Sequence, residues 1–402
     1  MKKLNDLIKL HGNPSALIDN FESSEIGYAI WDYKNIIKYN LQSTFINNKK
    51  VEGDPFELLQ FFLGTCLKSD LDIKSIGFIG YDIKNYLFPH IQFKISKTNS
   101  PCLWFAQPKK IQKYHLEKEK TYQESIFLEL KQDILSFEKY KKIISKIKRE
   151  LKKGNTYQIN LTANKIFQYS NVSPFEIYLI IRDYVKPAFG YFINTGSEQI
   201  LSFSPEQFFK TKGSRIESFP MKGTQKRSSN KDKDIFYKNK LKQSKKDKAE
   251  HLMIVDLLRN DIGKICKYGS VKVNNLFKVN SYATVHQMIS CVYGELKEDI
   301  KYIDIFKALC PGGSITGAPK ESSMQIIDRL ENYNREIYTG SIGHIDNNGD
   351  MHFNIAIRTM VAKKNIIEYS VGGGIVWDSK PKQEWEEAQL KSKILDNFIQ
   401  RK

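Results

Sequence analysis

Lys222 stands in Phe219-Pro220-Met221-Lys222-Gly223-Thr224, with proline and glycine holding the backbone on either side. A lysine desolvated among apolar neighbours loses its proton and becomes a nucleophile, whereas a surface lysine stays a charged tail. Glu206, in Phe203-Ser204-Pro205-Glu206, follows an apolar run. It reads either as a buried acid with a raised pKa or as a strand-end carboxylate in water. Two acidic pairs keep helical spacing, Asp247 with Glu250 and Glu384 with Glu387. Residues at i and i+3 share a helix face, so each pair aims its carboxylates at one point. Oxygen ligands from two helices, completed by water, suit octahedral Mg²⁺ held against an anionic substrate. The alternative is ordinary surface carboxylate, with first-turn acids complementing the helix dipole. Arg358, in Asn354-Ile355-Ala356-Ile357-Arg358-Thr359, puts a guanidinium in an apolar strand, where it needs a partner. A substrate carboxylate or a core salt bridge would serve.

These residues must be positioned by elements, and the clearest punctuation is Pro311-Gly312-Gly313-Ser314-Ile315-Thr316-Gly317-Ala318-Pro319-Lys320. Its glycines let backbone N–H groups approach a ligand, and the amphipathic stretch that follows predicts a helix over 319–331, with Pro319 at its first position. Gly312 to Gly317 has the spacing of a phosphate-binding loop, but Ala318-Pro319 stands where lysine and a hydroxyl residue are required. An anion site without that lysine and a purely structural turn both remain open. Period-3.6 patterning predicts helices at 137–152, 249–260 and 384–399; alternation or apolar runs predict strands at 26–31, 75–81, 157–162, 199–203, 354–361, 366–371 and 374–376. The segment 225–248 carries mostly lysine between charged neighbours and reads as a mobile solvated loop. Antiparallel strands with inserted helices predict an α+β protein in one compact unit.

With 402 residues and 41% hydrophobic content, the chain buries an ordinary globular core. Its five cysteines are scattered, odd in number and without zinc spacing, which points away from a disulfide framework and towards a reducing compartment. The amino terminus has no cleavable signal pattern and no run approaches membrane-spanning length, so a cytoplasmic protein is expected. A net charge of +18 invites nucleic-acid binding. The charge is mostly lysine interleaved with Asp and Glu, and no nucleic-acid-binding motif accompanies it, so no nucleic-acid partner is expected.

Eight ordered stretches together resemble the chorismate-utilising enzymes. They are TYQINLT, FSPEQFF, FPMKGTQKR, AEHLMIVDLLRNDIGKICKYGSV, PGGSITGAPK, YTGSIGHI, NIAIRT and VGGGIVWDSKPKQEWEEAQLKSK, spanning about Gly154 to Lys393. The amino-terminal part matches chiefly at SIGFIGYD. The resemblance implies a two-layered antiparallel β-sheet sandwich with outer helices around a cleft for chorismate and Mg²⁺. Residues 1–125 would form an amino-terminal sub-domain contributing to the sandwich, and 126–402 the chorismate-binding catalytic domain. Glu250 and Glu387 would hold the magnesium, supported by Asp247 and Glu384. Tyr338, Arg358, Lys391, Ser314 and the backbone of Gly372, Gly373 and Gly374 would bind substrate. Glu206 matches the family's general acid for the departing C4 hydroxyl.

Three positions separate members of that family. Gln158 stands where water-adding members have a lysine base, so this chain is expected to add an amine. Lys222 stands where anthranilate synthases have alanine, which implies a covalent route to amination at C4. Gln287 stands where anthranilate synthases have a histidine linked to pyruvate elimination, with His286 one place away as a substitute. Gln225 departs from the arginine common in the GTR form of its motif. No cysteine lies in a nucleophile-elbow context, so ammonia would come from a separate glutamine amidotransferase or from free ammonium. With the sequence ending just after the metal helix, no lyase domain is expected, and 4-aminobenzoate would need another enzyme.

Overall fold

The computed structural model describes residues 2–22, 25–96, 98–116, 128–282 and 285–393. Two long strands, Ile26–Tyr39 and Leu103–His115, pair antiparallel and form the middle of one continuous sheet. From Ile26–Tyr39 the sheet runs through Ala16–Asp19, Phe189–Asn194, Gln199–Ser204, Thr359–Lys363 and Ile366–Ile375 to Gln158–Tyr169. From Leu103–His115 it runs the other way through Ile73–Ile79, Ser341–Asp346, Met351–Ile355, Gln207–Lys212 and Arg215–Ser218 to Val285–Glu295. Strands before residue 117 thus pair with strands after 127 in both wings. The position 125 boundary itself falls outside the described residues.

Alternation along the strands shows how the wings pack, because successive side chains leave opposite faces. Tyr191 and Ile193 join the same core as Trp104 and Ala106, while the intervening Phe192 and Phe105 enter two different cores. The shared core also takes Ile18 and Ile200 from one wing and Ile76, Phe78 and Ile342 from the other. The two wings therefore lie face to face as layers. Helices cover the outer faces: Ile254 and Leu258 of Lys245–Gly263 pack with Phe209 and Phe353, and Ile177 and Ile181 of Pro174–Val185 with Leu201 and Phe203. The observed architecture is the expected α+β sandwich of antiparallel sheet and outer helices.

Several local expectations change. The 225–248 run is helical from Lys231 on, with Lys231–Gln243 capped by Asn230 and Lys245–Gly263 capped by Ser244. Charge patterning hid both caps and the one buried anchor, Leu241. The strand expected over 354–361 is broken between Met351–Ile355 and Thr359–Lys363, and the two expected over 366–376 are one strand. Pro319 is the N-cap of Lys320–Leu330 in extended conformation, not its first helical residue. The last helix begins at Pro381 and is described to Ser392; the expected portion from 394 lies outside the described residues.

Candidate active site

Lys222 belongs to the strand Met221–Lys226, which pairs with Val285–Glu295. Lys222 lies opposite Met288, then the register slips so that Thr224 lies opposite Gln287. Gly223 is the extra residue, with φ 70°, and a Cβ there would stand 3.0 Å from the Asp247 carboxylate and 2.9 Å from Leu241. Only glycine fits that bulge without strain. The Lys222 ammonium reaches the Ser314 carbonyl at 3.4 Å. Burial pushes the lysine below its ordinary pKa and Lys391 adds to that, while Glu206, Glu250 and Glu387 oppose it.

Glu206 lies on the other side of this space. Burial pushes its carboxyl up to about 7, against the opposing effects of Lys222, Lys391 and a hydrogen bond from Ser314. An acid near neutrality beside a lysine pushed towards neutrality is the pairing that general acid and nucleophile require. Its backbone is held by Ser204 Oγ, which accepts from the Glu206 N–H at 3.2 Å and bonds the Ile355 carbonyl at 2.7 Å.

Gln158 completes this space. It is wholly buried, and neither its Nε2 nor its Oε1 has a hydrogen-bond partner. A Cβ at Gly374 would stand 3.1 Å from Gln158 Nε2 and 3.6 Å from Lys222 Nζ, so the glycine leaves this space open. Gly372, Gly373 and Gly374 are strand residues opposite Thr162, Leu161 and Asn160. The glycine-rich loop is likewise shaped by close packing. A Cβ at Gly313 would strike Leu257, and one at Gly317, φ 147°, would stand 2.0 Å from the Gln158 carbonyl. Gly317–Ala318 pairs with the Gln158–Tyr169 strand, so the loop presses Ser314 into the site.

The four metal-candidate carboxylates lie on two helices that share one electrostatic field. Burial, then Asp247 and Glu384, push Glu250 up, while Lys246 and Lys222 oppose. Burial also raises Glu384, with Glu387 adding to it. At Glu387 burial acts upward, but Lys391, Lys222 and Lys246 outweigh it and the net pKa is lowered. Lysines stand where a cation would: Lys391 Nζ is 2.7 Å from Glu387 and 3.0 Å from the Gly372 carbonyl, and Lys246 Nζ is 3.7 Å from Glu250. Among the described residues no three Asp, Glu, His or Cys side chains converge as a ready metal-binding group. The donor set is all hard oxygen, which fits Mg²⁺ chemically.

Arg358 corrects its expectation. It is exposed at the kink between two strands, with φ 50°, and its carbonyl accepts from Phe203 N–H at 3.0 Å. It makes no ion pair with a described residue, so no core salt bridge accounts for it. Tyr338 is buried beside Tyr369 and Arg335; burial, then Tyr369, raise its phenol pKa. Neither side chain hydrogen-bonds Lys222 or Glu206. His286 does not substitute for Gln287: strand neighbours face opposite sides, and its buried ring is bonded to Ser281 at 2.9 Å and Asp234 at 3.1 Å.

Sequence reasoning missed Glu331 and Arg335. Arg335 forks onto Glu331 at 2.8 Å twice, bonds the carbonyls of Asn160 and Ile315, and lies over the Tyr81 ring. Glu331 accepts from Thr162 N–H and hydroxyl. The pair ties the Gln158 strand to the Ser314 loop. Its four-residue spacing was visible, but it reads as a surface helix pair until the absence of helix beyond Leu330 is known. A groove of about 1430 Å³ lined by Tyr86, Phe88, Phe93, Asp261, Lys264 and Lys320 contains none of the candidate catalytic residues.

A profile of the chorismate binding enzyme family matches residues 15–396. The aminodeoxychorismate synthase of Arabidopsis thaliana chloroplasts is 40% identical over 267 residues, 66% of this chain and 29% of that protein. The chain thus spans under a third of that relative's length. Anthranilate synthase component 1 of Saccharolobus solfataricus is 31% identical over 367 residues, 87% of each. Among solved structures, anthranilate synthase component I of Streptococcus pneumoniae superposes with TM-score 0.79 at 25% identity, covering 92% of each chain.

Proposed function

The chain belongs to the family of chorismate binding enzymes, and within it we propose that it aminates chorismate at C4 to 4-amino-4-deoxychorismate, as an aminodeoxychorismate synthase component 1. The observation that carries this reading is Lys222, an amine pushed towards neutrality beside Glu206, an acid with pKa about 7. Lys222 Nζ attacks C2 and forms a C–N bond; the ring double bonds shift and the C4 hydroxyl leaves as water with the proton of Glu206. Ammonia then forms a bond to C4, the electrons return, and the C2–N bond to Lys222 breaks. Excess protons pass to Glu206 and solvent, so the enzyme is regenerated.

The unpartnered Gln158 amide offers two N–H donors and a carbonyl acceptor to the substrate and lacks a base for activating water. Ser314 holds Glu206, and Lys391 and exposed Arg358 supply positive charge for carboxylates. Glu250 and Glu387, with Asp247 and Glu384, would hold Mg²⁺, which when bound neutralises a substrate carboxylate. Ammonia comes from a separate glutamine amidotransferase or free ammonium, and the amino-terminal 1–125 and catalytic 126–402 portions work as one sandwich on the way to 4-aminobenzoate and folate. The protein acts in the cytoplasm; among the described residues no helix is long and apolar enough to cross a membrane.

The second reading, anthranilate formation, is favoured by the higher coverage of the Saccharolobus relative. Product identification separates the two. The purified chain with chorismate, Mg²⁺ and ammonium yields an amino product that keeps its pyruvyl group under the first reading, and fluorescent anthranilate with free pyruvate under the second.

A further inference from the structure

The bulge that aims Lys222 is held by one side chain. Gln287 Nε2 donates to the Gly223 carbonyl at 3.1 Å, and Gln287 Oε1 accepts from the Thr224 hydroxyl at 2.9 Å. Both ends of one primary amide thus grip two consecutive residues, at the place where the ladder with Val285–Glu295 slips by one residue. We propose that Gln287 is the positioning residue for Lys222, clamping the Gly223 bulge through its amide and the Thr224 hydroxyl.

The argument is geometric. In a regular strand every second residue shares a face, and a one-residue slip exchanges the faces. The bulge at Gly223 therefore decides which way Lys222 points relative to Thr224 and the rest of the strand. Asp247 and Leu241 close the space behind Gly223, where an added Cβ would stand 3.0 and 2.9 Å from them. A bulged residue outside the regular ladder needs a hydrogen bond to stay put. A glycine with positive φ has many other conformations available, so the clamp narrows them. The ammonium at the end of this strand is held only by a 3.4 Å contact to the Ser314 carbonyl. Its aim depends on the backbone beneath it. An attacking nitrogen displaced by about 1 Å costs on the order of 10²-fold in rate while leaving substrate binding nearly intact. Gln287 touches no reacting atom in this arrangement.

This proposal rests on Lys222 acting as the nucleophile. Gln287→Met keeps the side chain's length and loses both bonds; Thr224→Val loses one; Thr224→Ser restores it. The expected result in the amination assay is a kcat lowered about 10- to 100-fold in Gln287→Met and less in Thr224→Val, with KM for chorismate within about threefold of wild type and Thr224→Ser close to wild type. Hydrogen exchange over 221–226 reads the clamp without turnover and is expected to quicken about tenfold in Gln287→Met. Wild-type kcat in Gln287→Met would overturn the proposal while leaving the C4 reading in place. Unchanged exchange over 221–226 would overturn it whatever product the enzyme makes. A wild-type enzyme yielding only anthranilate would sink the C4 reading, and the proposal with it as a statement about a nucleophile.

Discussion

Glu331–Arg335 and Glu206–Lys222 are both an acid and a base withdrawn from water, and the chain treats them in opposite ways. Arg335 spends its guanidinium on Glu331, two backbone carbonyls and the Thr339 hydroxyl, while Glu331 accepts from Thr162. Around Lys222 the bonds are few: one 3.4 Å contact for the lysine and a Ser314 bond for the acid. The Gln158 amide beside them has no partner at all. A buried polar group left unmatched costs about 1–3 kcal/mol, so an orphaned amide beside two sparsely bonded ionisable groups is retained only for something that completes it. The satisfied cluster is architecture; the unsatisfied one waits for a ligand.

The comparison breaks most sharply with Lys222→Ala. Amination is expected to fall by about 10³-fold or more, with the melting temperature essentially unmoved, as steady-state kinetics and calorimetry would read. The opposite pattern is expected at the brace. Arg335→Met leaves Glu331 buried without its cation and should cost about 3–5 kcal/mol of stability by urea unfolding.

Glu206→Gln sharpens the contrast through pH. Its folded pKa, about 7, lies above the ordinary 4.5, so the folded state holds the proton more tightly than the unfolded chain. That contribution is full below about pH 4.5 and is lost as pH rises through 7. Glu206→Gln should therefore lose amination yet be about 1–3 kcal/mol more stable than wild type at pH 8, and no more stable at pH 4.5. In wild type, kcat should decline as pH rises through 7, because the general acid loses its proton; a pH–rate profile checks this. The smallest effect belongs to Gln158→Leu. Removing an orphaned amide should raise stability by about 1–3 kcal/mol, while KM for chorismate rises about tenfold.

Strand alternation and helix periodicity survive in the residues themselves and carried the α+β class, while the two-layered sandwich came from the resemblance to the chorismate-utilising enzymes. Lys222, Glu206 and the carboxylate pairs could be singled out because their spacing is local, and the structure brings Lys222 and Glu206 within each other's field. The sequence did not carry the Glu331–Arg335 brace or the Gln287 clamp, because both join segments distant in the chain. The solvated loop expected over 225–248 failed for a related reason: Asn230, Ser244 and Leu241 decide it, and charge counting outweighs three residues. Arg358 was misplaced because Ile355, Ala356 and Ile357 read as uninterrupted strand, and only its φ of 50° reveals the kink.

The most direct test of the unsatisfied cluster is intact-protein mass after incubation with chorismate and Mg²⁺ in the absence of ammonia, followed by peptide mapping. The account predicts an adduct of chorismate less one water, mapped to Lys222 and absent from Lys222→Ala. An unmodified Lys222, together with undiminished amination by Lys222→Ala once ammonium is added, would contradict it.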